Sequence, residues 1–476
     1  MRIAIALKRK KGGINLDIGI TKSYNEQKKE KIRFSEKLGY GLGDFACNLV
    51  WNSLSMFILY FYTDVIGMTA AVISTLMLVV RIIAGFMDIV SGVVVDKTKT
   101  KYGKARPWIL WMAIPFGIST VLLFSVPDIG ESGKLAYVVT TYILLNIIYT
   151  AINIPYGVLN SLMTQDQYER SEINIYRMFC STAGSLCVSA LVLPLVSLFG
   201  GGQHAWIITF AIFGIVATFM FFVTFKTTKE RVVAVNEEKS QSISFKNGMK
   251  ALIQNKYWII IVLLLVVLFM SMGIMGGSMI YYAQYILNDK NLVGGLSIAQ
   301  NIPTLIVMLT IAIPLVKKYG KRNTAILGSI IFILGSLLAL IDLTSVKLIY
   351  ASIIVKGTGN ALVSATIFAL LADTIEYGEW KTNVRTEGLV YSAGNFGLKI
   401  GMGLGTAIVG WLLAFSNYNS SAVIQPDTAI NAINILFTWL PMILAGIQII
   451  LLKFYKLDKI YTSIIEDLEK RKIMEG

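Results

Sequence analysis

Long apolar segments alternate with short polar segments along almost the whole chain. Beyond residue 35, twelve segments consist mostly of apolar residues, and each is close to the ~20 residues that an α-helix needs to cross a bilayer. Lipid offers backbone groups no hydrogen-bond partners, so each segment is predicted to be a helix. The predicted spans are residues 40–63, 72–95, 107–127, 135–162, 176–199, 205–226, 257–287, 295–316, 323–342, 347–371, 389–415 and 431–453.

The composition excludes most other classes of protein. Of 476 residues, 55% are hydrophobic and only 15% are charged, against roughly a quarter charged in ordinary soluble domains. A soluble protein of this kind would expose large apolar patches. Cys47, Cys180 and Cys187 lie inside apolar segments and give no disulfide pattern, and His204 is the single histidine, so neither a disulfide framework nor an HExxH zinc site is expected. No metal site and no cofactor is predicted.

Lysine and arginine give the predicted orientation of the spans. The formal net charge is +15, and the positive residues concentrate in alternate loops, at 97–106, 227–256 and 317–322. The loops on the other side carry only Lys134, Lys290 and Lys347. Because positively charged loops stay on the cytoplasmic side, both termini are predicted to be cytoplasmic, in a cell membrane.

A repeat divides the chain into two halves. The sequence Lys-Tyr-Gly-Lys at Lys101 to Lys104 recurs at Lys318 to Lys321, and each copy lies between the second and third spans of its half. Two parallel six-span repeats are typical of transporters with a substrate cavity between the halves. The predicted organisation is a basic arm (1–35), an N-terminal half (36–226), a middle loop (227–256), a C-terminal half (257–453) and a tail (454–476).

Charged residues inside the spans are candidates for function, because each costs roughly 2.5–3.5 kcal/mol to insert. Arg81 and Asp88 lie seven residues apart in the second span, on one helical face. Both are functional candidates, with Arg81 as the charge partner of Asp88; the alternative is that the two merely neutralise each other. Lys399 lies ten residues inside the eleventh span and is predicted to face a pore. Arg177 opens the fifth span, and Lys356 in the tenth has no predicted partner or role.

Further motifs run through both halves, at residues 36–44, 60–65, 81–88, 103–108, 153–156, 372–379 and 391–399. Together and in this order they resemble the glycoside–pentoside–hexuronide:cation symporters, the melibiose-permease-like branch of the major facilitator superfamily. The resemblance implies an all-α membrane protein with twelve transmembrane helices in two six-helix halves. It also implies that the protein moves a sugar together with a cation.

The resemblance implies a cation site in the second span, with two carboxylates one turn apart, an amide, and a hydroxyl from the fourth span. Asp88 matches the second carboxylate and Thr150 the hydroxyl, but Ala84 and Met87 stand at the other two positions. One carboxylate and one hydroxyl are few ligands for sodium, since hard cations bind several oxygens. A lone carboxylate in a low-dielectric site can carry a proton instead. Proton coupling is therefore predicted, with sodium coupling as the alternative.

The implied sugar site also departs from the family pattern. Asn48 and Asn153 stand where the family has two aspartates that hold sugar hydroxyls, while Arg177 and Lys399 match the basic partners. Asparagine can still donate to and accept from hydroxyls. Two retained positive charges suit a carboxylate, so a uronic-acid-containing sugar is predicted beside a neutral glycoside or pentoside.

Three aromatic residues, Trp51, Tyr149 and Tyr156, are candidates to stack on a sugar ring. The alternative is packing in the core or against lipid, which is the commoner use of aromatic residues in such spans.

By family analogy, Arg170 faces Asp373, Glu376 and Glu379 on the cytoplasmic side. Ion pairs between them would close an inner gate in the outward-facing state. The alternative is that these are solvated loop charges.

The predicted mechanism is import by alternating access, in which a cation at Asp88 raises the affinity for sugar. A sugar sensor without transport and a drug exporter remain as other classes. No Gly-x4-Gly-Lys-Ser/Thr loop occurs, so direct use of ATP is not expected, and the outer loops are too short for the catalytic site of a membrane enzyme. The predicted partners are a small sugar and membrane lipids, not nucleic acid, and the monomer is predicted to be functional.

Overall fold

The computed structural model describes residues 32–98, 100–164, 167–231, 245–384, 387–420, 422 and 424–475. These residues are mostly helical, and the β-type pairing found within them is an isolated bridge between Thr100 and Gly103. The all-α prediction is confirmed. Parts of the predicted arm and of the middle loop, residues 1–31 and 232–244, lie outside the described residues.

Each of the twelve predicted spans corresponds to one helix or one bent set of helices. These are α1 (Phe34–Met56, continued by Ile58–Tyr60 and Phe61–Val65), α2 (Ala70–Lys97), α3 (Arg106–Phe124), α4 (Glu131–Met163), α5 (Gln167–Leu198), α6 (Gln203–Thr227), α7 (Lys256–Tyr285), α8 (Leu292–Thr310, continued by Ala312–Tyr319), α9 (Lys321–Ala339), α10 (Val346–Thr382), α11 (Glu387–Phe415) and α12 (Asp427–Asn434, Ile435–Trp439 and Leu440–Phe454). Two further helices, Phe245–Gln254 and Tyr461–Glu475, lie outside the spans.

Most of these helices are apolar enough to cross a membrane. Among the described residues ten pass by length and composition, and the bent α1 makes an eleventh. Helix α2 is 28 residues long, but only its first part, Ala70–Gly85, is apolar enough. The remainder of α2 carries Asp88, Asp96 and Lys97. The span with the weakest apolar signal therefore carries the candidate cation site.

Two spans contain π-helical segments, which often mark functional positions or local strain. Helix α1 bends by 52° after Met56 and ends in the π-helix Phe61–Val65. In α12 the π-helix Ile435–Trp439 precedes Pro441. Proline has no N–H to donate to the carbonyl of Phe437, and Lys356 supplies that donor instead, with Nζ 3.2 Å from the Phe437 oxygen. Lys356 therefore has a structural partner that the sequence did not predict.

The two halves pack against each other with the symmetry of a repeat. Helix α2 contacts α11, α5 contacts α8, and α1 contacts α7. Helices α1 to α6 of one half correspond to α7 to α12 of the other. When corresponding helices are exchanged, the contact of α2 with α11 becomes that of α8 with α5, and the contact of α1 with α7 is unchanged. Small residues permit the close approaches: a Cβ on Gly410 would lie 1.6 Å from Ser74 Oγ, and one on Gly294 would lie 2.8 Å from the Ser189 carbonyl oxygen.

The repeated Lys-Tyr-Gly-Lys loops have similar surroundings in the two halves. Helix α1 begins and α12 ends at the same end of the bundle, here called the terminal end; the opposite end is called the far end. Both loops lie at the terminal end. In the first, Glu230 accepts hydrogen bonds from the amides of Lys104, Ala105 and Arg106, each 2.9 Å long. In the second, Asp458 accepts one from the amide of Arg322. Each carboxylate accepts hydrogen bonds from backbone N–H groups that have no partner within the helix, and its negative charge interacts favourably with the helix dipole.

An arginine completes the resemblance of the two loops. Arg106 Nη2 donates to the carbonyl of Phe225 near the end of α6, at 2.6 Å. Arg322 Nε donates to the carbonyl of Leu452 near the end of α12, also at 2.6 Å. Each half therefore ties the start of its third span to the end of its sixth, which supports the repeat predicted from four residues.

Candidate substrate and cation site

Asp88 lies between the two halves with a hydrogen-bond donor from each. Thr150 Oγ1 of α4 donates to Asp88 Oδ1 at 3.0 Å. Lys399 Nζ of α11 forms an ion pair with Asp88 Oδ2. The side chain of Lys399 is 16% exposed and that of Asp88 is 21% exposed, so the pair is largely but not completely removed from solvent. The structure brings together the two residues predicted for cation coupling and one predicted for the sugar site.

Arg81 does not pair with Asp88. The two residues are two helical turns apart on α2, and Lys399 reaches Asp88 from the facing helix. Arg81 is only 2% exposed, and its three guanidinium nitrogens have no hydrogen-bond partner among the described residues. Its guanidinium carbon lies 5.3 Å from the centre of the Trp51 ring, a cation–π contact. The predicted neutralisation of Arg81 by Asp88 is therefore absent from this structure.

Arg177 is paired with an acidic residue that the sequence analysis did not single out. Its Nε lies 3.2 Å from Asp44 Oδ2 on α1, and Asp44 is only 9% exposed. Asn48 lies one turn after Asp44 and donates to the Asp44 carbonyl and to Ser181 Oγ, at 2.8 Å each. Of the central charges Arg81, Arg177, Lys399, Asp44 and Asp88, four form two ion pairs. Arg177 and Lys399 were expected to offer two positive charges to the substrate, but both form ion pairs. Of the five central charges, Arg81 alone has no ion-pair partner among the described residues.

The predicted aromatic residues divide into two groups. Trp51 and Tyr149 are half-buried and stack on each other, with ring centres 4.9 Å apart. Tyr156 is completely buried, stacks on Tyr40 at 4.5 Å, and donates to the Tyr40 carbonyl at 2.7 Å. A ring enclosed in this way cannot stack on a sugar, so in this structure Tyr156 is a packing residue.

Asn153 remains a candidate for the sugar. It is half-buried, directly before Ile154 and Pro155 inside α4, and its side chain makes no hydrogen bond within the described part of the chain. Its amide therefore keeps both donor and acceptor capacity for a ligand.

Two of the predicted gate residues, Arg170 and Asp373, bind within their own halves. Arg170 Nε donates to the Thr164 carbonyl at 2.8 Å, close to the end of α4. Asp373 forms an ion pair with Lys321 at 2.7 Å, inside the C-terminal half. Glu376 and Glu379 lie on the following turn of α10. The structure does not bring Arg170 to Asp373.

Hydrogen bonds that join the halves, apart from the Asp88–Lys399 pair, concentrate towards the far end. Ser189 of α5 and Ser297 of α8 lie 2.7 Å apart. Trp411 Nε1 of α11 donates to Thr75 of α2 at 2.9 Å. Because α5 and α11 run towards the far end and α2 and α8 start there, these contacts hold that end closed.

Asp44 and Asp64 lie in the sequence motifs at residues 36–44 and 60–65, but no role was predicted for either residue. Both are carboxylates inside the observed α1, and any such residue is costly in lipid and a functional candidate. Counting carboxylates in the predicted first span, 40–63, would have found Asp44, whereas Asp64 lies one residue beyond that span and within the observed α1.

Comparisons with known proteins agree with this architecture. The family model described as MFS/sugar transport protein matches residues 39–459. The chain is 36% identical over 455 residues to the isoprimeverose transporter of Lactiplantibacillus pentosus, covering 94% of each chain. It is 32% identical to the inner membrane symporter YicJ of Escherichia coli, covering 90% of this chain and 93% of that one. It is 31% identical to the glucuronide carrier protein homolog of Escherichia coli, covering 93% and 97%.

Solved structures agree on the fold. A bacterial homolog of the human lysosomal transporter Spinster, solved in an inward-facing conformation, superposes with a TM-score of 0.64 at 13% identity, covering 91% of this chain and 97% of that one. At this identity the likeness concerns the fold alone. The family match extends over most of the chain and agrees with the sequence motifs of the glycoside–pentoside–hexuronide:cation symporters. The chain therefore belongs to the MFS/sugar transport protein family and is a membrane transporter rather than an enzyme.

Proposed function

We propose that this protein imports a sugar together with a proton by alternating access. The observation that carries the proposal is the position of Asp88, which bonds to Thr150 of its own half and to Lys399 of the other half. A change in the charge of this one carboxylate alters the attraction between the halves. The relatives named for isoprimeverose and glucuronide support a sugar as the substrate.

The surroundings of Asp88 favour a proton over sodium. A sodium ion would have to displace Lys399. Of the four positions that match the family's cation site, only Asp88 and Thr150 would offer it a side-chain oxygen, because Ala84 and Met87 have none. Hard cations in proteins take several oxygen ligands. A proton needs only one oxygen, and its binding removes the attraction between Asp88 and the ammonium group.

Lys399 links the proton to the sugar. While Asp88 is ionised, Lys399 is held in the ion pair. Protonation of Asp88 releases the ammonium group, whose three donors can then bond to sugar oxygens. A sugar that binds Lys399 in turn favours the protonated form of Asp88, as reciprocal linkage requires. In this way Lys399, a residue predicted for the sugar site, has a role although it forms an ion pair with Asp88.

The orientation of the chain in the membrane indicates which step of the transport cycle the observed conformation represents. With the termini in the cytoplasm, as the positively charged loops suggest, the closed far end faces the outside. The conformation is then inward-facing. Arg170 and Asp373 binding within their own halves fits this assignment, because pairs between them are expected only when the inner end is closed.

Uptake into proteoliposomes tests the proposal. We expect neutral glycosides or uronates from a panel to accumulate when the outside is made acidic. For a neutral sugar carried with one proton, a membrane potential of 100 mV alone supplies roughly 2.3 kcal/mol per charge, or about fifty-fold accumulation. A uronate anion carried with one proton moves no net charge, so only the pH gradient drives its accumulation. Asp88→Asn should abolish accumulation and retain downhill exchange. Asp342→Asn, an exposed carboxylate in the loop between α9 and α10, is the control and should behave as the wild type.

Three results would contradict the proposal. Accumulation driven by sodium with no response to a pH gradient would instead support sodium-coupled uptake of a neutral oligosaccharide. Unchanged accumulation by Asp88→Asn would remove Asp88 from the mechanism. Sugar binding in detergent without any uptake in vesicles would indicate a sensor.

A second candidate concerns the substrate, and Arg81 supports it. Its guanidinium is buried and has no partner among the described residues, so the central layer carries one uncompensated positive charge. A buried charge without a partner is costly. A substrate carboxylate that reached Arg81 in a conformation of the cycle that exposes it would neutralise this charge with bidentate hydrogen bonds. This favours an acidic sugar such as a uronate. Arg81→Met should weaken competition by uronates at least tenfold more than competition by neutral glycosides, whereas equal weakening of both would contradict the acidic-sugar candidate.

A further inference from the structure

A second carboxylate links the two halves, at the far end of the interface. Asp64 lies in the π-helical end of α1, and Tyr285 ends α7. Tyr418, just after α11, donates to Asp64 Oδ1, and Tyr285 donates to the same oxygen at 3.3 Å. The two phenol oxygens lie 2.9 Å apart. Two tyrosines of the C-terminal half therefore converge on one carboxylate of the N-terminal half.

Two more hydroxyl groups complete this far-end cluster, which consists of Thr63, Asp64, Tyr281, Tyr285 and Tyr418. Thr63 donates to Asp64 Oδ2 at 2.6 Å. Thr63 and Tyr281 hydroxyl oxygens lie 2.9 Å apart, again across the two halves. Both carboxylate oxygens thus have a hydroxyl donor.

Local backbone geometry brings these residues together. Tyr281 and Tyr285 lie four residues apart on α7 and so share one face. Helix α11 ends at Phe415, and Asn417 follows with φ 59°, a left-handed conformation that asparagine tolerates. This turn directs the chain back over the interface and presents Tyr418 to Asp64.

The hydrogen bonds of Asp64 depend on the far end being closed. Within the described residues no lysine, arginine or histidine nitrogen lies within ion-pair distance of Asp64, so hydroxyl donors alone compensate its charge. Of its three donors, only Thr63 belongs to the same half. Separation of the halves removes the other two at once.

We propose that Asp64 is a positioning residue of the transport cycle, which holds Tyr285 and Tyr418 to keep the far end closed. The inference rests on the proposed alternating access, in which this end must open to admit substrate. Asp64 lies at the rim of the interface, and its role does not require contact with the sugar or with the coupling ion. Loss of its charge or of its phenol donors shifts the population towards the open far end.

Distance measurements between the halves test this gate. Spin labels are attached at the exposed positions Ile129 and Lys347, each changed to cysteine in a parent whose Cys47, Cys180 and Cys187 are replaced by alanine. The labels report the separation of the halves at the far end, with no need for sugar or for a gradient. We expect the open-to-closed ratio to rise about tenfold in Asp64→Asn, as for the loss of one charge-assisted hydrogen bond, and to rise less in Tyr418→Phe.

Tyr62→Phe is the matched control. Tyr62 is also a buried tyrosine in the π-helix, but it donates to Leu123 within its own half, at 2.9 Å. The control should leave the distance distribution of the parent unchanged. If Asp64→Asn and Tyr418→Phe also leave it unchanged, while the parent shows both distances, the gate is refuted and alternating access stands. A parent that holds one distance whatever the pH and the sugar panel contradicts alternating access and the gate together.

Discussion

Asp88, Thr150 and Lys399 show how the chemistry of a single carboxylate depends on its neighbours. The hydroxyl of Thr150 and the ammonium group of Lys399 both stabilise the ionised form of Asp88. One donor belongs to the same half and the other to the opposite half. Changes at these residues should therefore separate effects on proton binding from effects on the contact between halves.

Lys399→Gln should destabilise the protein by leaving Asp88 charged without an ion-pair partner. Breaking a buried pair is costly, and because both side chains keep some exposure we expect a loss of about 1–3 kcal/mol. The loss should shrink as the pH falls, since protonation of Asp88 removes the unpaired charge. Unfolding in detergent across a pH series measures it. The double variant Asp88→Asn with Lys399→Gln should recover most of the loss; if it is as unstable as Lys399→Gln alone, the ion pair is not the cause.

Thr150→Val should move the pH dependence of sugar uptake. The hydroxyl stabilises the ionised carboxylate, so its removal makes Asp88 easier to protonate, and the pH profile of uptake should shift to higher pH. Thr141→Val is the control, because Thr141 lies on the same helix and bonds to the carbonyl of Tyr137 at 2.9 Å. A profile that moves equally in both variants would count against a role for Thr150.

Residue identities at the site were predictable from the sequence, but several partners were not. Asp88 and Lys399 were identified as charged residues inside predicted spans, and Thr150 was assigned as the hydroxyl position that the family resemblance implies. The choice between Arg81 and Lys399 as the partner of Asp88 depends on the register of α2 against α11, which no single segment encodes. The same holds for Arg177, which binds Asp44 rather than standing free for a ligand.

Helix ends at the terminal end use side chains to complete their hydrogen bonds. Glu230, which follows α6, accepts from three successive amides at the start of α3. Such a carboxylate satisfies N–H groups that have no partner inside the helix and interacts favourably with the helix dipole.

Glu230→Ala should therefore lower the free energy of unfolding by about 1–2 kcal/mol, the typical cost of losing a helix cap. Thermal unfolding in detergent measures the change. Glu131→Ala is the comparison, because Glu131 lies exposed in the first turn of α4. A loss no greater in Glu230→Ala than in this comparison would contradict the capping role.

At the scale of elements, the sequence predicted the spans better than their irregularities. Hydrophobic segment lengths correctly located all twelve helices. The end of α10 was misjudged, since the prediction stopped at 371 and the helix continues to Thr382 through polar residues beyond the apolar segment. The π-helical segments of α1 and α12 were missed as well. In α12, Lys356 bonds the carbonyl of Phe437, a tertiary contact that the length of an apolar segment does not reveal.

The whole molecule is held closed at the far end by tight contacts between α2 and α11 and between α5 and α8. These contacts rely on glycines that face backbone atoms of the other half. The sequence predicted two halves, but it could not predict which end is closed, because both conformations use the same segments and differ only in how the halves pack.

Gly294→Ala should open the far end. The added Cβ would lie 2.8 Å from the Ser189 carbonyl oxygen, and backbone cannot move aside as a flexible side chain can. Overpacking costs at least about 1 kcal/mol, so the spin-label distances should show an open-to-closed ratio at least about fivefold higher. Gly446→Ala is the control, since that glycine lies in α12 with open space around it. No difference between the two variants would show that this contact does not set the conformation.

Linkage between proton and sugar at Asp88 can be measured directly. Sugar is added to the purified protein in weakly buffered detergent solution, and the pH change is recorded with an indicator. We expect an uptake of about one proton per bound sugar, since the sugar favours the protonated form of one carboxylate. We expect no uptake in Asp88→Asn, which should still bind the sugar. Sugar binding without proton uptake by the wild type, or equal uptake by Asp88→Asn, would contradict the account.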